Sequence, residues 1–538
     1  MSYSIKERQV VTGLVDRERS DMQGLIARGY NNLNSATYIL LQIEEVISAR
    51  AYFNYLIDNH ITSAVNKNAE GEKIKEPDCA VHLAFTSRGL RNLGLHKDII
   101  DTFSREFLEG MDYSYPDPDH PSARIKERSS LLGDTKQNKP ANWHWGNDEH
   151  PVDCMIMLYA TNDAKLYELA YDVYLSKQHG LIQVHEAKTN EYVRDISKEH
   201  FGFQDGISQP IIKGFSQSDL KNIDTDKLVN PGEFILGYKN TYNNFSPSPY
   251  VNNDADSCGL AMLPGLSDKK DLGKNGTYLV FRQIEQHIDK FWSFLYWRSQ
   301  ESGRNEDEKA IRLAAKMIGR WPDGRPLVTC PERPDLVDAH MFNNFNYVGG
   351  DDEFGLKCPL GAHIRRTNPR DQVHTGRNAK DSDEMSGKHR MLRRGRIYGE
   401  PLDREMRVNA ILDEVKKSPE FNRWRNHGCG SEKGSTGENE KTEINRGLHF
   451  ICLVSDIARQ FEFVQNVWAN TSTFADLCNE VDPIISPRPT KDQPDCHEFT
   501  TPQDVVRNRY TNVPEFTTVV GGAYFFMPGI NALRYLVK

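Results

Sequence analysis

"ATYILLQIEEVISARAYFNYLI" (36–57) and "GTYLVFRQIEQHIDKFWSFLYW" (276–297) begin alike and change period alike. Each opens on a β-type apolar run and passes into a helix-type pattern. In the first copy Ile43, Val46, Ala49 and Phe53 share one helical face; in the second Ile288, Phe291, Trp292 and Leu295 do so. With one inserted residue the copies also share Thr-Tyr and Ile-Glu. After the first come the apolar strands of "DCAVHLAFTSRGLRNLGL", "DCMIMLYATNDAKLYELAYDVYL" and "GLIQVHEAKT"; after the second come "GLHFICLVSDIARQFEFVQNVW" and "FTTVVGGAYFFMPG". Strand, helix and strand, twice over, folds as one sheet with helices on a face. The spacing therefore predicts an α+β fold of two tandem split-βαβ domains, 20–255 and 270–538, each an antiparallel sheet with helices.

A chain of 538 residues can bury a large core, and its 38% hydrophobic and 10% aromatic content is that of an ordered protein. The formal charge of -9 argues against a nucleic-acid partner, whose phosphates call for a basic surface. No stretch approaches the run of about 20 apolar residues that crosses a bilayer, and "MSYSIKERQVVTGLVDRERSD" has no signal-peptide core. The nine cysteines are scattered, with no CxxC pair, which reads as reduced thiols in a cytoplasmic protein. Four polar, turn-rich stretches read as surface loops: 66–77, 112–130, 376–390 and 427–447. The last is expected to be dispensable for catalysis.

Three short runs could carry chemistry. In "FGFQDGISQP" (201–210) Asp205 lies between Gly202 and Gly206. Asp-Gly favours a turn, but two glycines also let a backbone approach a flat ligand while the carboxylate points at it. In "CPLGAHIRRTNPRD" (358–371) His363 follows Gly361 and Ala362, which leave room beside the ring, and precedes Arg365 and Arg366. In "MLRRGRIYGE" (391–400) strand alternation would send one of two adjacent arginines inward, where it needs an anionic partner.

With these runs the chain resembles the dye-decolorising peroxidases, haem enzymes built on two ferredoxin-like domains. "GFQDG" matches that family's GxxDG signature. "DMQGLIARGYNNL", "PGEFILGY", "MIGRWPDGRPL", "CPLGAHIRRTNPRD", "GLHFICLVSDIARQFEFVQ" and "GGAYFFMPGINALR" follow in the family's order from residue 21 to the C-terminus. Length and the absent signal peptide resemble the larger, intracellular bacterial members. The resemblance implies one haem b per chain in the C-terminal half, with His363 as proximal iron ligand and Asp205 as distal acid. It implies Arg393 as distal arginine, with Arg394 the alternative, and Glu462 as the carboxylate that pairs with the proximal histidine, with Asp456 second. Gly202 and Gly206 would admit the porphyrin, and Arg365 would face a propionate.

The function implied is peroxidase chemistry: hydrogen peroxide oxidises bulky phenols or anthraquinone dyes through a ferryl intermediate. A five-coordinate haem leaves one face open to peroxide, where Asp205 can shuttle a proton and Arg393 can stabilise developing charge. The partners expected are peroxide and aromatic reductants, with no nucleic acid, no membrane, and a homo-oligomer left open. A haem carrier, sensor or iron-releasing protein is the alternative, against which the Asp205/Arg393 pair argues. His144, His150 and His200 have no partner at metal-ligand spacing.

Overall fold

The computed structural model describes residues 18–66, 74–116, 124–177, 179–190, 197–214, 228–253, 259–299, 305–332, 342–373, 378–427, 446–488, 498–502 and 507–538. The two echoing stretches are equivalent elements of two units. In the first unit β1 (Ser35–Ile43) leads into α1 (Val46–Asn59), then β2 (Cys79–Phe85), β3 (Cys154–Ala160), α2 (Asp163–Ala170) and β4 (Leu181–Lys188). In the second, β5 (Thr277–Gln286) leads into α3 (Ile288–Arg298) and α4 (Glu306–Ile318). The short strands β6 (Leu392–Arg393) and β7 (Arg396–Tyr398) follow, then β8 (Gly447–Val454) and β9 (Thr517–Met527).

Both units have the same antiparallel order. It runs β2-β3-β1-β4 in the first and β6/β7-β8-β5-β9 in the second, so each puts its echoing strand inside. The units join edge to edge through β9 and β2, at Phe526 opposite Phe85, giving one nine-stranded sheet. Strands such as β3, "CMIMLYA", are buried throughout because both sheet faces are covered. Ile39 and Leu41 pack with Phe53 and Leu56 of α1 on one face, whereas Tyr38 and Leu40 pack with Leu25 and Phe234 on the other. Glu45 caps α1 by accepting from the Ile47 and Ser48 amides. Ile43, expected on the helical face, closes β1 instead.

Two of the four expected loops contain ordered elements. The stretch 112–130 includes a hairpin, Ser114–Pro116 against Arg124–Glu127, followed by a helical turn that buries Arg128. The stretch 376–390 holds α5 (Ala379–Gly387), capped by Asn378, with Ser382 and Ser386 buried. Small polar residues hid both, since serines pack as readily as they solvate. Residues 428–445, most of the fourth loop, and 67–73 of the first lie outside the described residues.

Candidate active site

The inner face of the second unit's sheet is one wall of a cavity of about 1120 Å³. Ile284 and Gln286 of β5, Leu448 and Phe450 of β8, and Arg393 of β6 line it, facing His363. This is slightly above the roughly 300–1,000 Å³ common for small-molecule and cofactor sites.

Asp205 reaches the cavity on a tight turn. Phe201 and Phe203 anchor the turn in the helical core, 4.3 Å from Phe291 and 6.4 Å from Trp292 between ring centres. The Asp205 amide donates to Ser197 O at 2.8 Å, and the side-chain Oδ1 accepts from the Gly206 amide at 2.6 Å. Arg393 Nη1 donates to that same Oδ1 at 3.0 Å. The two expected distal residues are thus in contact. Arg393 itself is held by Gln209, whose amide pairs with both its backbone N–H and its carbonyl at 3.2 Å.

Alternation sends the two adjacent arginines to different partners. Arg394 turns to the other side and is half-buried, donating to Leu25 O and Ile26 O at 2.8 and 3.0 Å. The two glycines differ. Gly206 has φ +77° and open space where a Cβ would stand, and it lines the cavity. Gly202 has φ +93°, but its Cβ would meet Val408 Cγ2 at 2.8 Å. Its role is close packing on the helix α6 (Val408–Val415), not contact with a ligand.

Opposite, His363 opens the short helix His363–Thr367. Its Nδ1 lies 2.9 Å from Asp482 Oδ2. Asp482 is fully buried and also accepts, through Oδ1, from the Ile484 and Ile485 amides at 2.9 and 3.1 Å. The carboxylate can only accept, so the imidazole proton sits on Nδ1 and the Nε2 lone pair is free. Burial pulls the His363 pKa down, but the Asp482 charge and hydrogen bond outweigh it and the net shift is up. Burial would raise the Asp482 pKa, yet the His363 charge and hydrogen bond and the backbone donors bring it below the usual value.

The expected proximal carboxylate is therefore corrected. Glu462 instead accepts from Arg128 and, at 2.8 Å, from the Tyr524 hydroxyl. Asp456 accepts from the Arg459 amide at 2.9 Å. Both follow β8, Asp456 just before and Glu462 within a π-helical stretch (Ala458–Glu462 and Val464–Ala469), and neither carries the hydrogen bond to His363. Asp482 lies in "VDPIIS", where an Asp-Pro pair between apolar residues was the available signal: its side chain folds onto its own backbone two residues on.

Arg365 is corrected too. It is buried away from the cavity, donating to Asp352 Oδ2 at 2.9 Å, to Cys358 O at 2.6 Å and to Gln372, over the Tyr347 ring at 4.2 Å. Besides Arg393 the cavity is lined by Arg282, Arg320, Arg370 and Arg390, which the sequence reading missed; Arg282 pairs with Asp134 and Arg390 lies 3.8 Å from Asp383, which leaves Arg320 and Arg370. Arg320 donates to Gly324 O, Phe342 O and Ser208 Oγ, and burial pulls its pKa down to about 10. Arg370, at φ +52°, donates to Asn343 O, Phe345 O and Asn343 Oδ1. Both guanidinium groups flank Phe345, 5.5 and 3.9 Å from its ring centre. Among the described residues neither forms an ion pair with a carboxylate.

No family model matches the chain. It is 27% identical over 534 residues to the dye-decolorizing peroxidase msp1 of Mycetinis scorodonius, covering 96% of this chain and 87% of the relative. It is 29% identical over 343 residues to a multifunctional dye peroxidase of an Amycolatopsis, covering 63% and 61%. The solved structure of an ancestral D-type dye decolorizing peroxidase overlays with TM-score 0.68 at 25% identity, over 97% of this chain and 99% of that one. In sequence and in fold the chain is consistently similar to dye-decolorising peroxidases. The curated matches are largely fungal, and the larger bacterial subtype expected from the sequence gains no support from them.

The residues present suit the haem of a dye-decolorising peroxidase. Two imidazoles line the cavity: His389, bound through Nδ1 to Arg459 O and stacked on Phe463 at 3.9 Å, and His363, the one with a carboxylate behind it and a free Nε2; no group of three or more metal-ligating side chains exists among the described residues. Such a donor set suits iron whose other ligands come from a macrocycle. Two buried arginines without carboxylate partners supply the charge that propionates require. Leu448, Phe450, Ile318, Phe461 and Val464 offer apolar contact to a flat ring.

Proposed function

We propose that this protein is a haem-dependent peroxidase that uses hydrogen peroxide to oxidise bulky aromatic substrates, with His363 as iron ligand and Asp205 and Arg393 as the distal pair. The observation that carries the reading is the Arg393 Nη1 to Asp205 Oδ1 contact of 3.0 Å, in one cavity with the Asp482-oriented His363. A haem carrier has no use for that pair.

Haem, when bound, supplies the redox centre at which peroxide is reduced and aromatic donors are oxidised. His363 Nε2 would hold the iron. Asp482, by accepting the Nδ1 proton, fixes the tautomer and makes the imidazole a more basic ligand. On the distal side Arg393 and the Gly206 amide both occupy Asp205 Oδ1. Oδ2 carries no hydrogen bond from the described residues. It is the atom left to take the proton from one peroxide oxygen and return it to the other as water departs. Arg393, permanently cationic, stabilises the charge that develops as the O–O bond lengthens. Arg320 and Arg370 would hold propionates, and the apolar wall would exclude water.

We place the protein in the cytoplasm. The six cysteines of the described residues are all thiols, and no described helix is long and apolar enough to cross a membrane. We also take 20–255 and 270–538 as its two domains, with Asp205 delivered to the second by the chain leaving the first. The test is a haem titration followed by steady-state oxidation of a phenol and an anthraquinone dye with peroxide. A Soret band with peroxide-dependent turnover of both supports the reading; a Soret band without turnover overturns it in favour of carriage.

A further inference from the structure

Glu199 belongs to none of the roles above, yet it lines the cavity six residues before the distal acid. Its backbone closes the turn: the Glu199 amide donates to Phe203 O at 3.0 Å, and the Gly202 amide donates to Glu199 O at 2.8 Å. Its side chain then folds over that turn. Oε2 accepts from the Phe201 amide at 2.8 Å and Oε1 from the Phe203 amide at 3.0 Å. A third donor arrives from the end of β5, where Gln286 Nε2 reaches Oε2 at 2.5 Å. All three partners are N–H donors. A carboxylate satisfies them all, whereas a carboxylic acid must place a proton where no acceptor waits.

Building this carboxylate into the wall is costly. Burial pushes its pKa up, the donated hydrogen bonds oppose the shift, and the nearby Asp205 charge adds to it, leaving the value at about 7. Residues that fold into a turn without such a clamp exist in every loop, so a half-buried charge here calls for a reason beyond turn formation. The turn's product is the position of Asp205, whose amide is tied to Ser197 O on the other side of the clamp.

We propose that Glu199 is the positioning residue of the distal acid, a carboxylate clamp that fixes the Phe201–Phe203 turn and thereby sets Asp205 against Arg393. This rests on the peroxidase reading of the cavity. The charged groups facing the clamp are Asp205 on its own turn and Lys198 beside it, whose Nζ is pinned to Met406 O at 3.2 Å. The sheet contributes the neutral Gln286, and α6 contributes only Val408 and Ile411, against Gly202. Ionised above neutrality, the clamp is complete; protonated below it, one donor is released and the turn loosens. The reaction with peroxide then acquires an ascending limb near pH 7 that belongs to Glu199.

The experiment compares haem-loaded wild type with Glu199→Gln and Gln286→Met. Amide hydrogen exchange across residues 197–210 is read first, and the peroxide reaction by stopped flow from pH 5 to 9 second. Glu199→Gln keeps one acceptor oxygen and turns an amide NH₂ towards a backbone N–H. Exchange at Phe201 and Phe203 should quicken, haem content should hold, and the rate above pH 8 should fall about 10- to 100-fold, the cost of a displaced catalytic group. The limb near pH 7 should vanish. Gln286→Met removes one donor to the carboxylate, so the limb should move to higher pH while the turn persists. A purely structural role would slow neither reaction nor shift a limb once haem is loaded. Unchanged exchange in Glu199→Gln, or an unchanged limb in both variants, overturns the proposal. Wild type that loads haem but ignores peroxide overturns the peroxidase reading instead, and the exchange data then judge the clamp alone.

Discussion

Asp482→Asn is nearly isosteric, yet the geometry around it cannot be satisfied by an amide. Oδ1 accepts from the Ile484 and Ile485 amides and Oδ2 from His363 Nδ1, so both oxygens face donors. Asparagine has one oxygen. If it stays with the two backbone donors, its NH₂ faces Nδ1, which must then become an acceptor. The ring proton moves to Nε2, and that tautomer cannot ligate iron. If the amide flips, two buried backbone N–H groups lose their acceptor, at about 1–3 kcal/mol each. Either outcome weakens the site, and loss of a carboxylate behind a ligating histidine typically costs about 10–100-fold in metal affinity or activity. The assay is transfer of haem from the loaded variant to excess apomyoglobin, followed at the Soret band against wild type. Glu462→Gln is the control, because its partners are Arg128 and Tyr524. Faster haem loss from Asp482→Asn alone is the expected result. Wild-type retention and spectrum in Asp482→Asn, or equal loss in Glu462→Gln, would refute the assignment of the proximal carboxylate.

Arg320→Met should weaken haem binding roughly tenfold or more, since a hydrogen bond to a charged group is worth about 1.5–3 kcal/mol, and spectral titration would show it. The same substitution should also lower the melting temperature of the apoprotein, because the Gly324 and Phe342 carbonyls lose their buried donor. Glu462→Gln should lower the melting temperature of apo- and haem-loaded protein alike, through its buried contacts with Arg128 and Tyr524. Glu199 has a folded-state pKa of about 7 against 4.5 for the free side chain, so its contribution to stability is present below pH 4.5 and lost as pH rises through 7. As pH rises across that window wild type should therefore lose stability relative to Glu199→Gln in denaturant melts, the difference between them changing by at most about 3 kcal/mol.

The fold was legible because its evidence is periodic. The Thr-Tyr pairs at 37–38 and 277–278 begin equivalent strands, and the same 2-3-1-4 order follows in each unit. The Asp205–Arg393 contact was legible because two glycines and an arginine doublet are compact signals, although only the strand geometry separates Arg393 from Arg394. The proximal carboxylate was not. Asp482 reaches His363 from a chain segment 119 residues later, and no local pattern encodes that approach. Arg365 misled for a related reason: a charged residue beside a ligand looks functional, while its burial against Asp352 and Gln372 exists only in three dimensions.

The central claim is that Asp205 and Arg393 act together on one peroxide. Stopped-flow mixing of haem-loaded protein with hydrogen peroxide tests it most directly, in wild type, Asp205→Asn, Arg393→Leu and the double variant. Removing the proton shuttle typically costs about 10²–10⁴-fold and removing an oriented donor about 10²–10³-fold. Because both serve one bond cleavage through a shared 3.0 Å contact, the double variant should lose far less than the product of the two single losses. Wild-type rates in both single variants, or losses that simply multiply, would contradict the account.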